Sequence, residues 1–365
     1  MFYMLLTLVV LYLVSSEATA INNQFQVVSL DLKRDLNNQK RDGFVGTADL
    51  THEAYYSVEV EVGSNKDKIL VAFDTGSSNA HIPDKNIICN GNCVKWGVFD
   101  ANSSTTLQRF EMNVTSAYGG GSYSARRAGQ LVTDDFTIGD ISLKHFPFVD
   151  DNYAKDVFQG ILGMGHSTPK ERNVAWTAFE QGVISKPAYS FYIGDSDFPG
   201  QVHLGGYDAA KLDGEFSWTS IKGSNIGARG NYMIVNGKNI TIDKRFTVDS
   251  GWDRGCIPDP AYSEFFTAFP DEQAYNQVHH RLNCTALKGK TFQYSINGRE
   301  LTLPMKSLVS PGQTGEQCYT SFTNCSTPQL GAFLFRYMYV AVDFERDVIG
   351  FGQLKQSSET NLVSF

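Results

Sequence analysis

A chain of 365 residues exceeds the usual size of a single hydrophobic core and suggests two compact lobes. Its formal net charge of -8 comes without a basic cluster along any segment, which argues against nucleic acid as a partner. Aromatic residues make up 13% of the chain, and apolar and polar residues often alternate, so we expect an all-β protein.

The first twenty residues predict a signal peptide, residues 1–20. A nearly uninterrupted apolar run over residues 1–14 is followed by Ala18-Thr19-Ala20, the small-x-small pattern of a signal-peptidase site. The alternative is a membrane anchor, but fourteen apolar residues are too few to span a bilayer, and no second run of spanning length follows. We therefore expect no membrane anchor and a protein that is secreted or lies in the lumen of a lysosome or another endomembrane compartment.

The cysteines and the glycosylation signals agree with an oxidising compartment. Six cysteines are an even number, as expected where disulfides form. Zinc is the alternative for the closely spaced Cys89 and Cys93, but no histidine pair with ligand spacing follows, so we expect no metal. The adjacent His279 and His280 also fit no metal motif. Five sequons could carry N-glycans, at Asn102, Asn113, Asn239, Asn283 and Asn324.

A predicted β-hairpin carries the first candidate functional residue. Apolar and polar residues alternate from Tyr56 to Val62, residues 63–67 turn the chain, and a second apolar strand ends at Asp74. Thr75, Gly76, Ser77 and Ser78 follow at once. A second version of apolar strand, carboxylate, hydroxyl and glycine ends in Asp249-Ser250-Gly251.

Two such turns facing each other across a pseudo-twofold axis would place Asp74 and Asp249 side by side. Like charges at that range cannot both ionise, so the pair would share a proton and hold a water between an acid and a base. A lone Asp-Thr-Gly is most often a surface turn, but two copies after β-rich apolar runs favour the pair. An acid glycosidase also uses paired carboxylates, yet it does not need a two-lobed repeat.

Downstream of each turn lies an apolar-apolar-Gly element, at residues 158–163 (FQGILG) and 328–333 (PQLGAF). With these pairings the chain resembles, from about residue 50 to residue 352, the pepsin and cathepsin D family of aspartic proteases. The resemblance implies a mostly β, two-lobed pepsin-like fold with a pseudo-twofold axis and a central cleft covered by a β-hairpin flap.

The resemblance also implies a domain order. After the signal peptide we expect a short propeptide at residues 21–41, an N-terminal lobe at 42–193 and a C-terminal lobe at 194–365. The dibasic pair Lys40-Arg41 is the expected processing site at the end of the propeptide. This propeptide lacks the later half that, in the family, carries a lysine pairing with the catalytic carboxylates. The predicted lobe junction lies near residues 190–200, and helices are predicted over 172–181 and from Asp259 to before Pro270.

By resemblance, Asp74 and Asp249 are the catalytic pair, and the Thr75 and Ser250 hydroxyls bond across the lobe interface. The supporting residues of the two turns are Thr75, Gly76, Ser77, Ser250 and Gly251. The flap and substrate-binding residues are Tyr118, Gly119, Gly120 and Trp252. The implied partners are a peptide or protein substrate and statine-type inhibitors, with no cofactor and a monomeric state. The implied disulfides are Cys89–Cys93 and Cys284–Cys318, which leaves Cys256–Cys325.

Three features depart from the family pattern. His81 stands where the family usually has a tryptophan that bonds the flap tyrosine, so His81 could bond Tyr118 instead, with a solvated or merely packed histidine as the alternative. The flap is longer than usual, and its Arg126 and Arg127 could favour substrates with acidic side chains, although such a pair is usually just solvated.

The third departure is Trp252, where the family usually has a Ser or Thr whose hydroxyl bonds the outer oxygen of the catalytic Asp. Indole cannot replace that hydroxyl at such short reach. We therefore expect Asp249 to lose a hydrogen bond and the lower apparent pKa of the pair to rise. The alternative is a pepsin-like protein that binds peptides or other ligands without turnover.

Overall fold

The computed structural model describes residues 28–34, 56–91, 93, 96–118, 125–139, 141–157, 159–166, 173–195, 198–221, 226–270, 274–276, 281–311 and 317–365. The predicted signal peptide, most of the predicted propeptide, Gly119, Gly120 and the adjacent His279 and His280 lie outside the described residues.

Strands dominate the described chain, as the alternation of residues predicts. The first half contains β1 (Val28–Arg34), β2 (Tyr56–Val62), β3 (Asp67–Asp74), β4 (His81–Asn90), β5 (Gln108–Tyr118), β6 (Ala125–Ile138), β7 (Ile141–Lys155), β8 (Gly160–Gly163), β9 (Ala188–Gly194), β10 (Pro199–Leu204), β11 (Gly206–Asp208) and β12 (Leu212–Ser220).

The second half of the chain also consists mainly of strands. Its strands are β13 (Gly227–Val235), β14 (Lys238–Asp249), β15 (Gly255–Ile257), β16 (Ala274–Asn276), β17 (Arg281–Asn283), β18 (Thr291–Ile296), β19 (Arg299–Pro304), β20 (Val309–Pro311), β21 (Gln317–Thr320), β22 (Phe322–Asn324), β23 (Gln329–Gly331), β24 (Met338–Asp343), β25 (Val348–Leu354) and β26 (Leu362–Ser364).

Four short helices are described: α1 (Val174–Glu180), α2 (Ala261–Phe266), α3 (Cys284–Leu287) and α4 (Ala332–Phe335). Helix α1 lies within the predicted range because the Asn173 side chain accepts hydrogen bonds from the Ala175 and Trp176 amides, and Gln181 caps its C-terminal end. Helix α2 is shorter than predicted, and Phe269 packs into the core beyond its end. None of the described helices has the length and apolar character needed to cross a membrane.

A 13-stranded sheet runs through the molecule in the order β12-β25-β24-β9-β10-β1-β2-β3-β8-β4-β7-β6-β5. The β2–β3 hairpin is the one predicted from the alternation: Val58, Val60 and Val62 are buried, and Val60 lies opposite Ile69. The predicted lobe junction falls in the β9–β10 hairpin. Strand β1, from within the predicted propeptide, pairs with β10 on one side and β2 on the other.

The second half builds a 7-stranded sheet in the order β19-β18-β13-β14-β23-β15-β22, with a 4-stranded sheet (β16-β17-β21-β20) and a 2-stranded one (β11-β26) beside it. Each half repeats one arrangement, in which the strand carrying an Asp pairs in parallel with a strand ending in Gly. Asp74 lies opposite Gly163 in the β3–β8 pair, and Asp249 lies opposite Gly331 in the β14–β23 pair. The repeated turns therefore occupy equivalent places in the two lobes of a mostly β, pepsin-like fold.

Candidate active site

The two Asp-hydroxyl-Gly turns meet face to face. A Cβ added to Gly76 would lie 2.5 Å from Oδ1 of Asp249, and one added to Gly251 would lie 2.5 Å from Oδ1 of Asp74. Any side chain at either glycine would collide with the opposite carboxyl group. These glycines therefore make room for the facing carboxylate, which the sequence alone does not reveal, and Asp74 and Asp249 lie together as the repeat suggests.

The Thr75 and Ser250 hydroxyls join the two turns by four hydrogen bonds. Thr75 Oγ1 accepts from the Ser250 amide at 3.0 Å and donates to the Val248 carbonyl at 2.9 Å. Ser250 Oγ accepts from the Thr75 amide at 3.0 Å and donates to the Phe73 carbonyl at 2.7 Å. Both residues are only 1% exposed, so these four hydrogen bonds are shielded from water. Reciprocal bonding of this kind fixes the relative position of the turns.

Each carboxylate accepts hydrogen bonds from a backbone amide and from a side chain of its own lobe. Asp74 accepts from the Gly76 amide at 2.8 Å on Oδ1 and from the Ser77 hydroxyl at 2.5 Å on Oδ2. Asp249 accepts from the Gly251 amide at 3.0 Å on Oδ1 and from Gln329 Nε2 at 3.0 Å on Oδ2. Burial raises the pKa of Asp249 well above its usual range, and the charge of Asp74 raises it further.

Trp252 supplies no hydroxyl, but the expectation that Asp249 thereby loses a hydrogen bond is wrong, because the Gln329 side chain donates one. Trp252 itself belongs to the second turn through its backbone: its carbonyl accepts from the Ala332 amide at 2.7 Å. Since the sequence places residue 329 in an apolar strand element, nothing local indicates that its amide reaches a carboxylate 80 residues earlier.

Strands β5 and β6 form a hairpin next to this pair, and Tyr118 at the end of β5 pairs with Ala125. The tip of the hairpin, residues 119–124, lies outside the described residues. Burial raises the pKa of Tyr118 far above its ordinary value, and the charge of Asp74 adds to the rise. The Tyr118 phenol therefore lies within electrostatic range of the candidate pair. Tyr118 therefore remains a neutral hydroxyl in acid and at neutral pH.

His81 connects the hairpin to the rest of the sheet through a buried polar network. The prediction that His81 forms a hydrogen bond with Tyr118 is wrong. Its Nδ1 lies 2.8 Å from Asp151 Oδ1, and its Nε2 lies 3.0 Å from the Ser116 hydroxyl on β5. The Tyr118 ring only meets the imidazole edge to face, with ring centres 6.0 Å apart. His81 and Asp151 are both fully buried.

Arg127 completes the network, so the expectation that it attracts acidic substrates is wrong for this residue. Its guanidinium donates to Asp151 Oδ2 at 2.9 Å and to the Gln159 carbonyl, and it lies 5.7 Å from the Tyr118 ring centre. Arg127 is buried and its charge is neutralised by Asp151. Arg126, its neighbour on the strand, is exposed. Asp151 was missed from the sequence because it carries no motif and meets His81 from 70 residues away.

The six cysteines form three disulfides, Cys89–Cys93, Cys256–Cys325 and Cys284–Cys318. Cys256–Cys325 joins β15 to the residue that follows β22, and β15 pairs with both β22 and β23. Within the described ranges no three His, Cys, Asp or Glu side chains cluster closely enough to hold a metal ion.

The five sequons differ in how accessible their amides are. Asn102, Asn113, Asn239 and Asn324 are exposed, and Asn283 is half-buried. The side chain of Asn283 caps α3, and Asn324 Nδ2 donates to Asp259 at 2.6 Å. Glycosylation at the first three therefore disturbs least, and it remains a prediction for all five.

Comparison with known proteins agrees with this geometry. The family model described as eukaryotic aspartyl protease matches residues 55–354. Candidapepsin-3 of Candida albicans (strain WO-1) is 27% identical over 336 residues, covering 86% of this chain and 83% of that protein. Secreted aspartic protease 1 of Candida albicans is 28% identical over 331 residues, covering 85% of this chain and 83% of that protein. Since the family model spans most of the chain, this protein belongs to the eukaryotic aspartyl protease family.

Proposed function

We propose that the protein is a secreted aspartic endopeptidase in which Asp74 and Asp249 activate a water molecule at acid pH. The observation that carries the proposal is the approach of the two carboxyl groups, each packed against the glycine of the opposite turn. Two carboxyl groups this close share one proton, so one member is a base while the other is an acid.

In the proposed reaction the ionised member takes a proton from a water that lies between the carboxyl groups. The resulting hydroxide attacks the carbon of the scissile carbonyl, while the protonated member donates a hydrogen bond to the carbonyl oxygen. Collapse of the tetrahedral intermediate breaks the C–N bond, and the amine leaves with a proton from the pair. The reciprocal hydrogen bonds of Thr75 and Ser250 support this chemistry because they hold both carboxyl groups in one relative position.

Acid pH is the expected working range because the pair must hold a single proton between its members. Burial and the neighbouring charge of Asp74 raise the pKa of Asp249, which keeps that proton bound above the range of an ordinary carboxyl group. Secretion is proposed from the predicted signal peptide and from relatives named secreted aspartic proteases. Peptides or proteins are the proposed substrates, statine-type inhibitors the proposed ligands of the cleft, and a monomer the proposed state.

The test is cleavage of a denatured protein at acid pH by the chain secreted from a yeast host, with and without a statine-type inhibitor. Asp74→Asn and Asp249→Asn should each reduce turnover by roughly 10²–10⁴-fold, because neither variant retains both an acid and a base. The matched control is Asp243→Asn, an exposed carboxylate paired with Arg229, which should leave turnover unchanged.

Near wild-type turnover in either variant of the pair would refute the proposed pair. A wild-type chain that binds the inhibitor without cleaving protein would favour the alternative, a pepsin-like protein that binds peptides without turnover. Trp252 was the reason to consider that alternative, and the Gln329 donor to Asp249 weakens it.

A further inference from the structure

The two lobes supply the second donor to their carboxylates from different places. In the first lobe the donor is Ser77, three residues after Asp74. The corresponding residue of the second lobe is Trp252, three residues after Asp249, which has no hydroxyl. The donor to Asp249 Oδ2 is the amide of Gln329 at 3.0 Å.

The parallel strand pairs show that the side-chain donor occupies different positions in the two lobes. Asp74 lies opposite Gly163 and Asp249 lies opposite Gly331. Two residues before these glycines stand Ile161 and Gln329, which are therefore structural counterparts. The first lobe has a hydroxyl after its turn and an apolar residue on the paired strand, and the second lobe has an aromatic residue after its turn and an amide on the paired strand.

The backbone around Gln329 lies between two neighbouring strands, β14 and β15. In β23 this residue lies opposite Thr247 of β14, and it also pairs with Cys256 of β15, which is bonded to Cys325. Thr247 and Asp249 are two residues apart on β14, so their side chains and that of Gln329 belong to one face of the sheet. Gly331 adds no side chain between Gln329 and the second turn. A Cβ added to Gly331 would lie 2.5 Å from the Trp252 carbonyl oxygen.

We propose that Gln329 is a positioning residue of the active site, which holds the second oxygen of Asp249 and replaces the hydroxyl that Trp252 lacks. This inference rests on the proposed function, because its role is to support the Asp74–Asp249 pair. An N–H donor to a carboxylate favours the ionised form, so Gln329 opposes the effects of burial and of the Asp74 charge on Asp249.

The other titratable groups near the pair do not compete for this role. Tyr118 on β5 and Tyr189 on β9 lie in range of Asp74, and burial raises the pKa of both phenols, so they stay neutral in acid. Asp253 follows Trp252 on the second turn, and burial raises its pKa to about 6. None of these three groups is substituted in Gln329→Met, so a shift of its profile from the wild-type profile reports on Gln329.

The experiment is a pH–rate profile of kcat and kcat/KM for the wild-type chain, Gln329→Met, Trp252→Thr and the double variant. Methionine keeps the length of glutamine and removes the donor. In Gln329→Met we expect the acid limb to move up by about one pH unit and kcat at acid pH to fall about tenfold, with KM nearly unchanged. In the double variant the hydroxyl introduced by Trp252→Thr should restore most of both losses.

Trp252→Thr alone should move the acid limb by less than it does in the Gln329→Met background, since Asp249 already has its donor. Gln108→Leu, an exposed glutamine on β5, is the matched control and should leave the profile unchanged. Thermal unfolding of each variant separates a loss of folding from a change in the pair. If Gln329→Met does not fold, Gln329→Asn, whose shorter amide cannot reach Asp249, takes its place.

A profile that is unmoved in Gln329→Met, or a double variant that is no better than the single one, would overturn the inference while leaving the proposed function intact. A lower thermal midpoint without a shift of the acid limb would also overturn it, because it would show a purely structural role. Wild-type protein without turnover, in contrast, would overturn the proposed function and this inference with it.

Discussion

Ser250 and Thr75 hold the two turns together with a hydroxyl each, and both hydroxyls are buried. Ser250→Ala would leave the Thr75 amide without its acceptor and the Phe73 carbonyl without the hydroxyl donor. Each buried group left unpaired costs about 1–3 kcal/mol of folding free energy, and a looser pair of carboxyl groups should also lower turnover. Urea unfolding and cleavage assays of Ser250→Ala measure both effects.

Ser250→Thr is the control for this prediction, because it keeps the hydroxyl and repeats the residue found at Thr75. It should retain most of the wild-type stability and turnover. If Ser250→Ala matched the wild type in both measurements, the hydrogen bonds across the interface would contribute nothing to either property.

Individual residues differ in how far the sequence could reveal their place. The Asp, hydroxyl and Gly of each turn are predictable because they repeat as a short contiguous pattern after an apolar strand. Gln329 and Asp151 are not, since each acts on a residue 70 or 80 positions away and neither belongs to a local motif. Their roles depend on strand register, which a single sequence does not determine.

At the scale of elements, the β5–β6 hairpin depends on the ion pair between Arg127 and Asp151. Arg127→Met would leave Asp151 buried without its cation, and a broken buried pair costs about 3–5 kcal/mol. We expect a lower thermal midpoint and a higher KM, because the hairpin that carries Tyr118 would lose its anchor. The measurements are thermal unfolding and steady-state cleavage.

Arg126→Met is the matched control, since Arg126 neighbours Arg127 but is exposed. It should leave the thermal midpoint near the wild-type value. Equal effects of the two substitutions would argue that charge on the hairpin, rather than the buried network, determines its behaviour.

The sequence does not predict the pairing of strand β1. This strand lies within the predicted propeptide, which stays a prediction, and it pairs with β10 from Val28 to Leu32 and with β2 at Lys33 and Arg34. The β2–β3 hairpin, in contrast, was predictable because its two strands are adjacent and share a period-two pattern. Long-range pairing of β1 has no such local signal.

Removal of β1 should destabilise the sheet, because it leaves the facing edges of β10 and β2 unpaired. We expect a chain that lacks residues 21–34 after the signal peptide to unfold several degrees below the wild type. A chain lacking only residues 21–27 retains β1 and serves as the control. Equal midpoints for the two deletions would mean that another segment fills the place of β1.

For the whole molecule, three carboxyl groups make stability depend on pH in an unusual direction. Burial raises the pKa of Asp150 from 3.8 to about 6, with the charge of Asp84 adding to the rise. Burial likewise raises the pKa of Asp253 from 3.8 to about 6, and that of Asp249 well above its usual range. Each of these groups binds its proton more tightly in the folded chain than in the unfolded one.

Because the folded chain holds more protons between pH 4 and pH 6, its free energy of unfolding should fall as pH rises through that interval. For Asp150 and Asp253, a rise of about two pKa units corresponds to at most about 3 kcal/mol for each group. Asp100 and Asp259 act in the opposite sense, since hydrogen bonds from Lys85 and Ser263 lower their pKa values, but they matter only as pH falls below about 4. Stability should therefore be greatest near pH 4, within the acid range proposed for turnover.

Urea unfolding at pH 4, 5, 6 and 7 measures this dependence. Asp150→Asn and Asp253→Asn should each flatten the decline, because an amide of the same shape does not ionise in that range. Asp243→Asn, at an exposed site, should leave the slope unchanged. A wild-type chain whose free energy of unfolding rises from pH 4 to pH 7 would contradict the prediction, because buried carboxyl groups would then be ionised in the folded protein at no greater cost than in the unfolded chain.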